Sequence, residues 1–317
     1  MSDSELDSLF NEDWPEDHQS GVVAVVGRPN VGKSTLINHI LGQKIAAVTP
    51  KPQTTRRNQL GILTEPKTQI LFVDTPGLHE PVHKLGEFMV RDAQRALRDA
   101  DVVLFLFDVT QAPTDEDRRI AEQVARLKGS TPVVLALNKA DLLRPEQRDR
   151  NAPAYTSLIA HEAAYMTSAL KGAGVQELLA DLTARMPLGP RYYPADQVSE
   201  VPMRSIAAEI IREKVMLHTE AEVPHAIAVE IESYQERSDN MTYISAIVYV
   251  ERESQKGIVV GKGGALIKKI GSEARAELEP LAGTPIYLDL RVKVLPNWRS
   301  DEKLMGRLGF KQDKEGK

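Results

Sequence analysis

The stretch GRPNVGKST, Gly27 to Thr35, lies between an apolar run, GVVAVV, and an amphipathic one, TLINHILG. That order leaves little freedom: a buried strand must enter a glycine loop that opens directly into a helix. Glycines let such a loop curl until its backbone N–H groups point inward, and the helix adds its positive end. Both suit phosphate. The pattern G-x-x-x-x-G-K-[ST] is met by Gly27, Gly32, Lys33 and Ser34. Lys33 is placed to reach β- and γ-phosphates and Ser34 to ligate Mg²⁺. Asn30, Val31 and Thr35 complete the expected nucleotide-binding loop.

From Gly21 to about Met186, apolar strands alternate with helical stretches. The strands are GVVAVVG, LGILTE, TQILFVD, DVVLFLFDV, TPVVLALNKAD and HEAAYMTSA. Helices are read at STLINHILG, RDAQRALRDA, DEDRRIAEQVARLKG and VQELLADLTARM. Such interleaving predicts an α/β fold, a doubly wound and mainly parallel sheet. Ligands of such sheets sit at the carboxyl ends of strands. Three further short motifs end strands here. Asp74-Thr75-Pro76-Gly77 offers a carboxylate for Mg²⁺ and an N–H, that of Gly77, for the γ-phosphate. Asn138-Lys139-Ala140-Asp141 offers a carboxylate that accepts from guanine N1–H and N2–H₂, groups adenine lacks. Thr167-Ser168-Ala169-Leu170-Lys171 offers a backbone N–H for guanine O6, so Ser168, Ala169 and Leu170 join the nucleotide set.

The proline-rich MPLGPRYYPADQVSEVP breaks the rhythm and marks a boundary. Beyond it the order α-β-β-α-α-β predicts a small α+β domain with helices on one face. Its centre is SQKGIVV, then Gly261-Lys262-Gly263-Gly264, then ALIKKIGSEAR. A GxxG turn brings a phosphodiester backbone close, and the surrounding bases supply salt-dependent phosphate contacts. Lys256, Lys262, Lys268, Lys269 and Arg275 stand against one acid, Glu273. Of the neighbouring apolar residues Ile258, Val259, Val260, Leu266 and Ile267, most are expected in the core and one or two along a groove. A GxxG alone also serves as a plain helix–helix turn; in this basic context it matches the KH mode of gripping single-stranded RNA. The organisation expected is an acidic tail at 1–20, a nucleotide domain at 21–187, a linker at 188–200, an RNA-binding domain at 201–310 and a polar tail at 311–317.

Charge alone announces none of this. Net charge is -5, yet the first twenty residues hold seven acids and no base, and the remainder carries 40 basic against 38 acidic residues. There is no cysteine, which excludes disulfides and thiolate metal sites and fits a reducing compartment. Apolar runs are too short to span a bilayer and no signal peptide is read, so a cytoplasmic protein is expected. The seven histidines are scattered. His79 and His83 are four apart, but Pro81 between them argues against one helical face.

GRPNVGKS, DTPG, NKAD and SALKG resemble the G1, G3, G4 and G5 motifs of Ras-like GTPases. The resemblance implies a switch threonine in KPQTTRR, with Thr55 favoured for Mg²⁺ and the γ-phosphate and Thr54 as fallback. It implies a second switch over residues 75–84. Lys33, Thr55, Asp74 and Gly77 would then carry catalysis. One departure matters: where Ras has a water-orienting glutamine, this chain has Leu78, so unaided hydrolysis is expected to be slow. Asn30 is the candidate for a K⁺ contact, as in related bacterial GTPases. Together with AAEIIREKVM, VERESQKGIVVGKGGALIKKIG and DLRVKVLPNWRSDEKLMGRLGF, the motifs are similar to the Era family of GTPases, over about Gly21 to Phe310. The resemblance implies a GTP-hydrolysing assembly factor; the residues themselves give no reason to expect an oligomer, so a monomer is expected. Its type II KH domain would bind 16S rRNA near the 3′ end during 30S maturation, with peripheral contact to the cell membrane. The alternative is a GTPase signalling through a membrane or protein partner, its C-terminal domain not binding RNA.

Overall fold

The computed structural model describes residues 14–49, 55–78, 81, 83–237 and 240–310. The acidic residues 1–13, Thr54, His79, Ser238 and the polar end 311–317 lie outside them. The described chain divides into two units.

The first unit comprises 14–45, 58–78 and 92–200. Its six strands are β1 (Gln19–Val26), β2 (Gln59–Glu65), β3 (Thr68–Asp74), β4 (Val102–Asp108), β5 (Val133–Asn138) and β6 (Ala163–Met166), in the order β2-β3-β1-β4-β5-β6. Only β2 runs antiparallel to its neighbour. The expected doubly wound sheet is thus present. Strands β4 and β5 are buried along their whole length, the burial that a strand covered on both faces requires. The order reverses at β1, whose two neighbours are β3 and β4, so the carboxyl end of β1 is the switch point where a ligand crevice opens. Helix α1 (Lys33–Leu41) starts there. Helix α2 (Lys84–Arg98) gives its last turns to this unit, where Ala93, Ala96 and Leu97 join Phe105, Phe107 and Leu135 in the core. Helix α3 (Asp115–Leu127) is fixed at its start by a capping box between Thr114 and Asp117. Helix α4 (Pro145–Thr156) and helix α5 (Val175–Ala184) complete the set.

The proline-rich segment is strapped to this sheet. Buried Gln69 accepts from the Tyr192 and Tyr193 N–H groups and donates to Tyr193 O, while Ile62 N–H donates to Val198 O and Ser199 Oγ to Leu60 O.

The second unit comprises the described parts of 46–57, 80–91 and 201–310. Helix α6 (Met203–Leu217) and short α7 (Val223–Ala226) precede β7 (Ala228–Arg237) and β8 (Met241–Val250); α8 (Glu253–Val260), α9 (Ala265–Ala282), β9 (Ile286–Val294) and α10 (Glu302–Arg307) follow. The sheet order is β7-β8-β9, with β7 antiparallel and β9 parallel to β8. Ile244, Ala246, Val248 and Val250 of β8 face a core built with α6, α8 and α9. A second cluster holds Ile247, Tyr249, Trp298 and Met305 together with Leu85 and Met89 from the first turns of α2.

The described residues 46–49 and 55–57 belong to this unit through specific bonds. Val48 N–H donates to buried Glu213 at 2.8 Å. Arg56, also buried, donates to the carbonyls of Ile227 and His225 and lies over the Trp298 ring. Arg57 donates to Leu308 O.

Candidate functional site

The sequence motifs of the first unit converge at the carboxyl ends of β1, β3, β5 and β6. Gly27 and Gly32 take φ of 147° and 106°, in or near the left-handed region open to glycine, and Asn30 takes 65°. A Cβ on Gly32 would stand 2.3 Å from Asn138 Nδ2, and one on Gly27 would stand 2.5 Å from Leu106 O. Both glycines are therefore required by conformation and by space.

Lys33 is buried inside the loop, donating to Gly27 O at 2.9 Å and Arg28 O at 3.1 Å. Burial lowers its pKa from 10.5 to about 8, against the opposing pull of Asp74 and Glu116. A bound phosphate would restore the ammonium's ordinary basicity, so the bound state holds more protons than the free one. Affinity for GDP is then full below about pH 8 and falls as pH rises through that value, by about tenfold per unit at the limit. Calorimetry across about pH 7 to 9 checks this; a flat profile would reject the assignment of Lys33 to phosphate.

Ser34 Oγ donates to Asp74 Oδ2 at 2.6 Å. A hydroxyl and a carboxylate so close, at a helix start, are the hard oxygen donors that Mg²⁺ takes. Gly77 packs on the phosphate loop: a Cβ there would meet the Pro29 ring at 2.9 Å. Leu78, the residue where Ras-like chains carry glutamine, is buried in the core cluster. Its side chain is therefore a packing element.

Asn138 ties the motifs to one another. Its Nδ2 donates to Val31 O at 2.7 Å, and its Oδ1 accepts from Ala169 N–H at 2.8 Å and from Thr167 Oγ1 at 3.3 Å. One amide thus joins the phosphate loop, the end of β5 and the turn after β6. Asp141 faces Lys171 Nζ at 3.2 Å, and hydrogen bonds from Ser168 and then Lys171 hold its carboxyl below the usual range. It is ionised at neutral pH, as an acceptor for guanine must be. Leu170 is exposed at the rim. Thr55, read as the switch threonine, is buried within the second unit, and Thr35 follows Ser34 in α1.

In the second unit α8 ends at Gly261 (φ 71°), and Gly263 and Gly264 take φ of 60° and 79° before α9 begins. A Cβ on Gly261 would meet Leu266 at 2.7 Å, so that glycine is needed for packing. Around Gly263 and Gly264 a Cβ would meet nothing within 4 Å. Their backbone is presented to solvent, as a strand-gripping turn must be. Lys262, Lys268 and Lys269 are exposed around it, and Lys256 and Lys269 make long ion pairs with Glu253 and Glu273.

Beside this turn a groove of about 390 Å³ runs between α9 and β9, lined by Ile267, Lys268, Gly271, Ser272, Arg275, Tyr287, Leu288 and Leu290. Of the five apolar residues around the loop, Val259 is fully buried, Ile267 lines the groove and Ile258 is half exposed. The contribution of Tyr287, Leu288 and Leu290 was not visible in the sequence. TPIYLDLRVKV reads as a strand, but only the sheet order makes it the edge beside α9. Among the described residues no group of three or more histidine and acidic side chains is arranged to hold a metal, and no helix is long and apolar enough to cross a membrane.

Two family models match. One is described as 50S ribosome-binding GTPase, over residues 22–139, and the other as KH domain, over residues 222–299. GTPase Era of Ruminiclostridium cellulolyticum is 44% identical over 297 residues, covering 94% of this chain and 99% of that protein. GTPase Era of Thermotoga maritima is 46% identical, covering 93% and 98%. Among solved structures, Era in complex with MgGDPNP and nucleotides 1506–1542 of 16S ribosomal RNA has a TM-score of 0.86 at 39% identity, covering 92% of this chain and 99% of that one. An Aquifex aeolicus Era variant bound to GDP and AlF₄⁻ has a TM-score of 0.83 at 38% identity. The chain belongs to the Era family of GTPases.

Proposed function

We propose that this Era-family GTPase senses the terminal phosphate of GTP with its first unit and grips an unpaired rRNA strand with its KH domain, during assembly of the small (30S) ribosomal subunit. The RNA would be the 3′ region of 16S rRNA, the kind of segment held in the related complex. The observation that carries the coupling is the membership of the second unit. The described parts of 46–57 and 80–91, which flank or contain the residues read as switches, pack with the KH elements. Arg56 and Arg57, next to Thr55, are bonded to Ile227 and Leu308 of that unit. A γ-phosphate that draws Thr55 to itself would therefore act on elements that belong to the RNA-binding half.

In this reading Gly27, Asn30, Val31, Gly32, Lys33, Ser34 and Thr35 cradle the phosphates. Ser34, Asp74 and Thr55 would hold Mg²⁺, which neutralises charge on the β- and γ-oxygens. Asn138, Lys139, Asp141, Ser168, Ala169 and Leu170 form the base pocket. Lys256, Gly261, Lys262, Gly263, Gly264, Lys268 and Lys269 contact the RNA backbone, and Arg275 and Tyr287 extend that surface along the groove. With Leu78 in the core, hydrolysis needs another contributor. Asn30, exposed and left-handed, keeps K⁺ as the candidate. Turnover in KCl above that in NaCl is expected, and equal rates would remove K⁺ from the mechanism. The peripheral membrane contact rests on the family resemblance alone.

The test is crosslinking and sequencing of RNA bound to the full chain with a non-hydrolysable GTP analogue and with GDP. Recovery of one site near the 16S 3′ end, stronger with the analogue, is expected. Equal recovery with both nucleotides would break the coupling. Absence of that site would break the RNA assignment and favour the signalling alternative.

A further inference from the structure

We propose, resting on the base pocket assigned above, that Asp108 is a positioning residue for guanine binding, acting through Lys139, and that Arg28 extends the same contact to the phosphate loop. Asp108 ends β4 directly beside Asn138, its register partner at the end of β5. Lys139 follows with φ 66°, a left-handed backbone that a residue with a Cβ seldom adopts. From there its ammonium reaches back to Asp108 Oδ2 at 2.7 Å. The charge is thereby fixed at one end, and the methylene stem is left as a fixed wall beside Asp141.

The carboxylate cannot turn away. Its other oxygen accepts from Thr110 N–H at 3.1 Å and Thr110 Oγ1 at 2.6 Å. Behind it, Tyr155 Oη donates to the Asp108 carbonyl at 2.8 Å. Arg28, inside the phosphate loop, stands 3.7 Å from the same Oδ2 and donates through Nε to Asp117 at 3.2 Å. Asp117 is buried and spends its second oxygen capping α3. Two cations and two carboxylates thus balance, and they join the phosphate loop to the loop that reads the base.

Without the Asp108 charge, the Lys139 ammonium is released close to the base-reading carboxylate. Asp141 already holds one lysine, Lys171. A second cation would compete with guanine for it, and the wall would be lost. The effect of Asp108 must therefore pass through Lys139, which a double-mutant cycle on GDP affinity measures.

The full chain is titrated with GDP as wild type, Asp108→Asn, Lys139→Met and the double variant. Each single change is expected to weaken binding about tenfold, with the double variant no weaker than the worse single one. Multiplying effects, or no effect of Asp108→Asn, would overturn the proposal. A purely structural role for Asp108 would instead give a loss that persists undiminished in the Lys139→Met background. Should Asp108→Asn not fold, Thr110→Val, which unlocks the carboxylate, takes its place in the same cycle. Failure of the base pocket itself would be seen separately, as unchanged GDP affinity in Asp141→Asn.

Discussion

Asp141→Asn is expected to weaken GTP and GDP binding by about a hundredfold and to bring xanthine nucleotides to the higher affinity. Guanine presents N1–H and N2–H₂ side by side, and a carboxylate accepts from both. Hydrogen bonds to a charged group contribute about 1.5–3 kcal/mol each, so the loss of two such bonds reaches two orders of magnitude. An amide offers one acceptor and one donor. Its donor meets an N–H of guanine badly but meets the oxygen that xanthine carries at that position well. The geometry favours a clean result. Asp141 is held by buried Ser168 and by exposed Lys171 at 3.2 Å, and an isosteric amide keeps the outline of the carboxylate, so it needs no change in the fold. Ser34→Ala is the control: it removes the hydroxyl that meets Asp74 and should impair Mg²⁺-dependent binding without altering base choice. Calorimetric titration of GDP and xanthosine diphosphate into both variants reads the outcome. Unchanged GDP affinity in Asp141→Asn would mean that the base lies elsewhere.

What made this site legible was spacing. The phosphate loop, Asp74 and Asn138–Asp141 each end a strand whose apolar composition marks it as buried, Ser168–Leu170 follow the weaker strand HEAAYMTSA, and a parallel sheet brings such ends together. Helix α4 shows what composition hides. PEQRDRNAPAYT has two prolines and no apolar stripe. It forms because Pro145 stands in its first turn, Gln147 caps the Arg144 N–H, and Asn151 and Tyr155 reach back to the Val109 and Asp108 carbonyls. Those anchors are long-range and leave no local signal. The same holds for Trp298. In the sequence VLPNWRS served only as a family signature, yet Trp298 is fully buried at the centre of a cluster and donates to Ala226 O. Helix α2 begins at Lys84, seven residues before the helical stretch read at Arg91, because its first two turns pack Leu85 and Met89 in that tryptophan's cluster. The least legible feature was which unit the described part of 46–57 joins. Its attachment rests on Glu213 and on the carbonyls of Ile227 and His225, more than 160 residues away in the chain.

Gly263→Asp separates the two functional readings most sharply. Gly263 has φ 60° and no atom within 4 Å of where a Cβ would stand. A side chain there meets open space, so its cost to the fold is the left-handed backbone alone, about 1–2 kcal/mol. Its cost to RNA is far larger. A carboxylate set into the turn that receives a phosphodiester opposes the backbone it should bind, and like charges at such contacts cost several kcal/mol. Binding of a 16S 3′-terminal strand to the GTP-analogue form is expected to fall by about a hundredfold. GTP turnover without RNA should stay within about twofold, because every residue assigned to the nucleotide belongs to the first unit or to Thr55. Filter binding at two salt concentrations checks the mechanism as well as the size. Wild-type affinity should drop steeply with salt, as release of counterions from phosphate requires. If the variant binds the strand as wild type does, the glycine turn is only a helix connection, and a GTPase that signals through a protein or membrane partner becomes the better description.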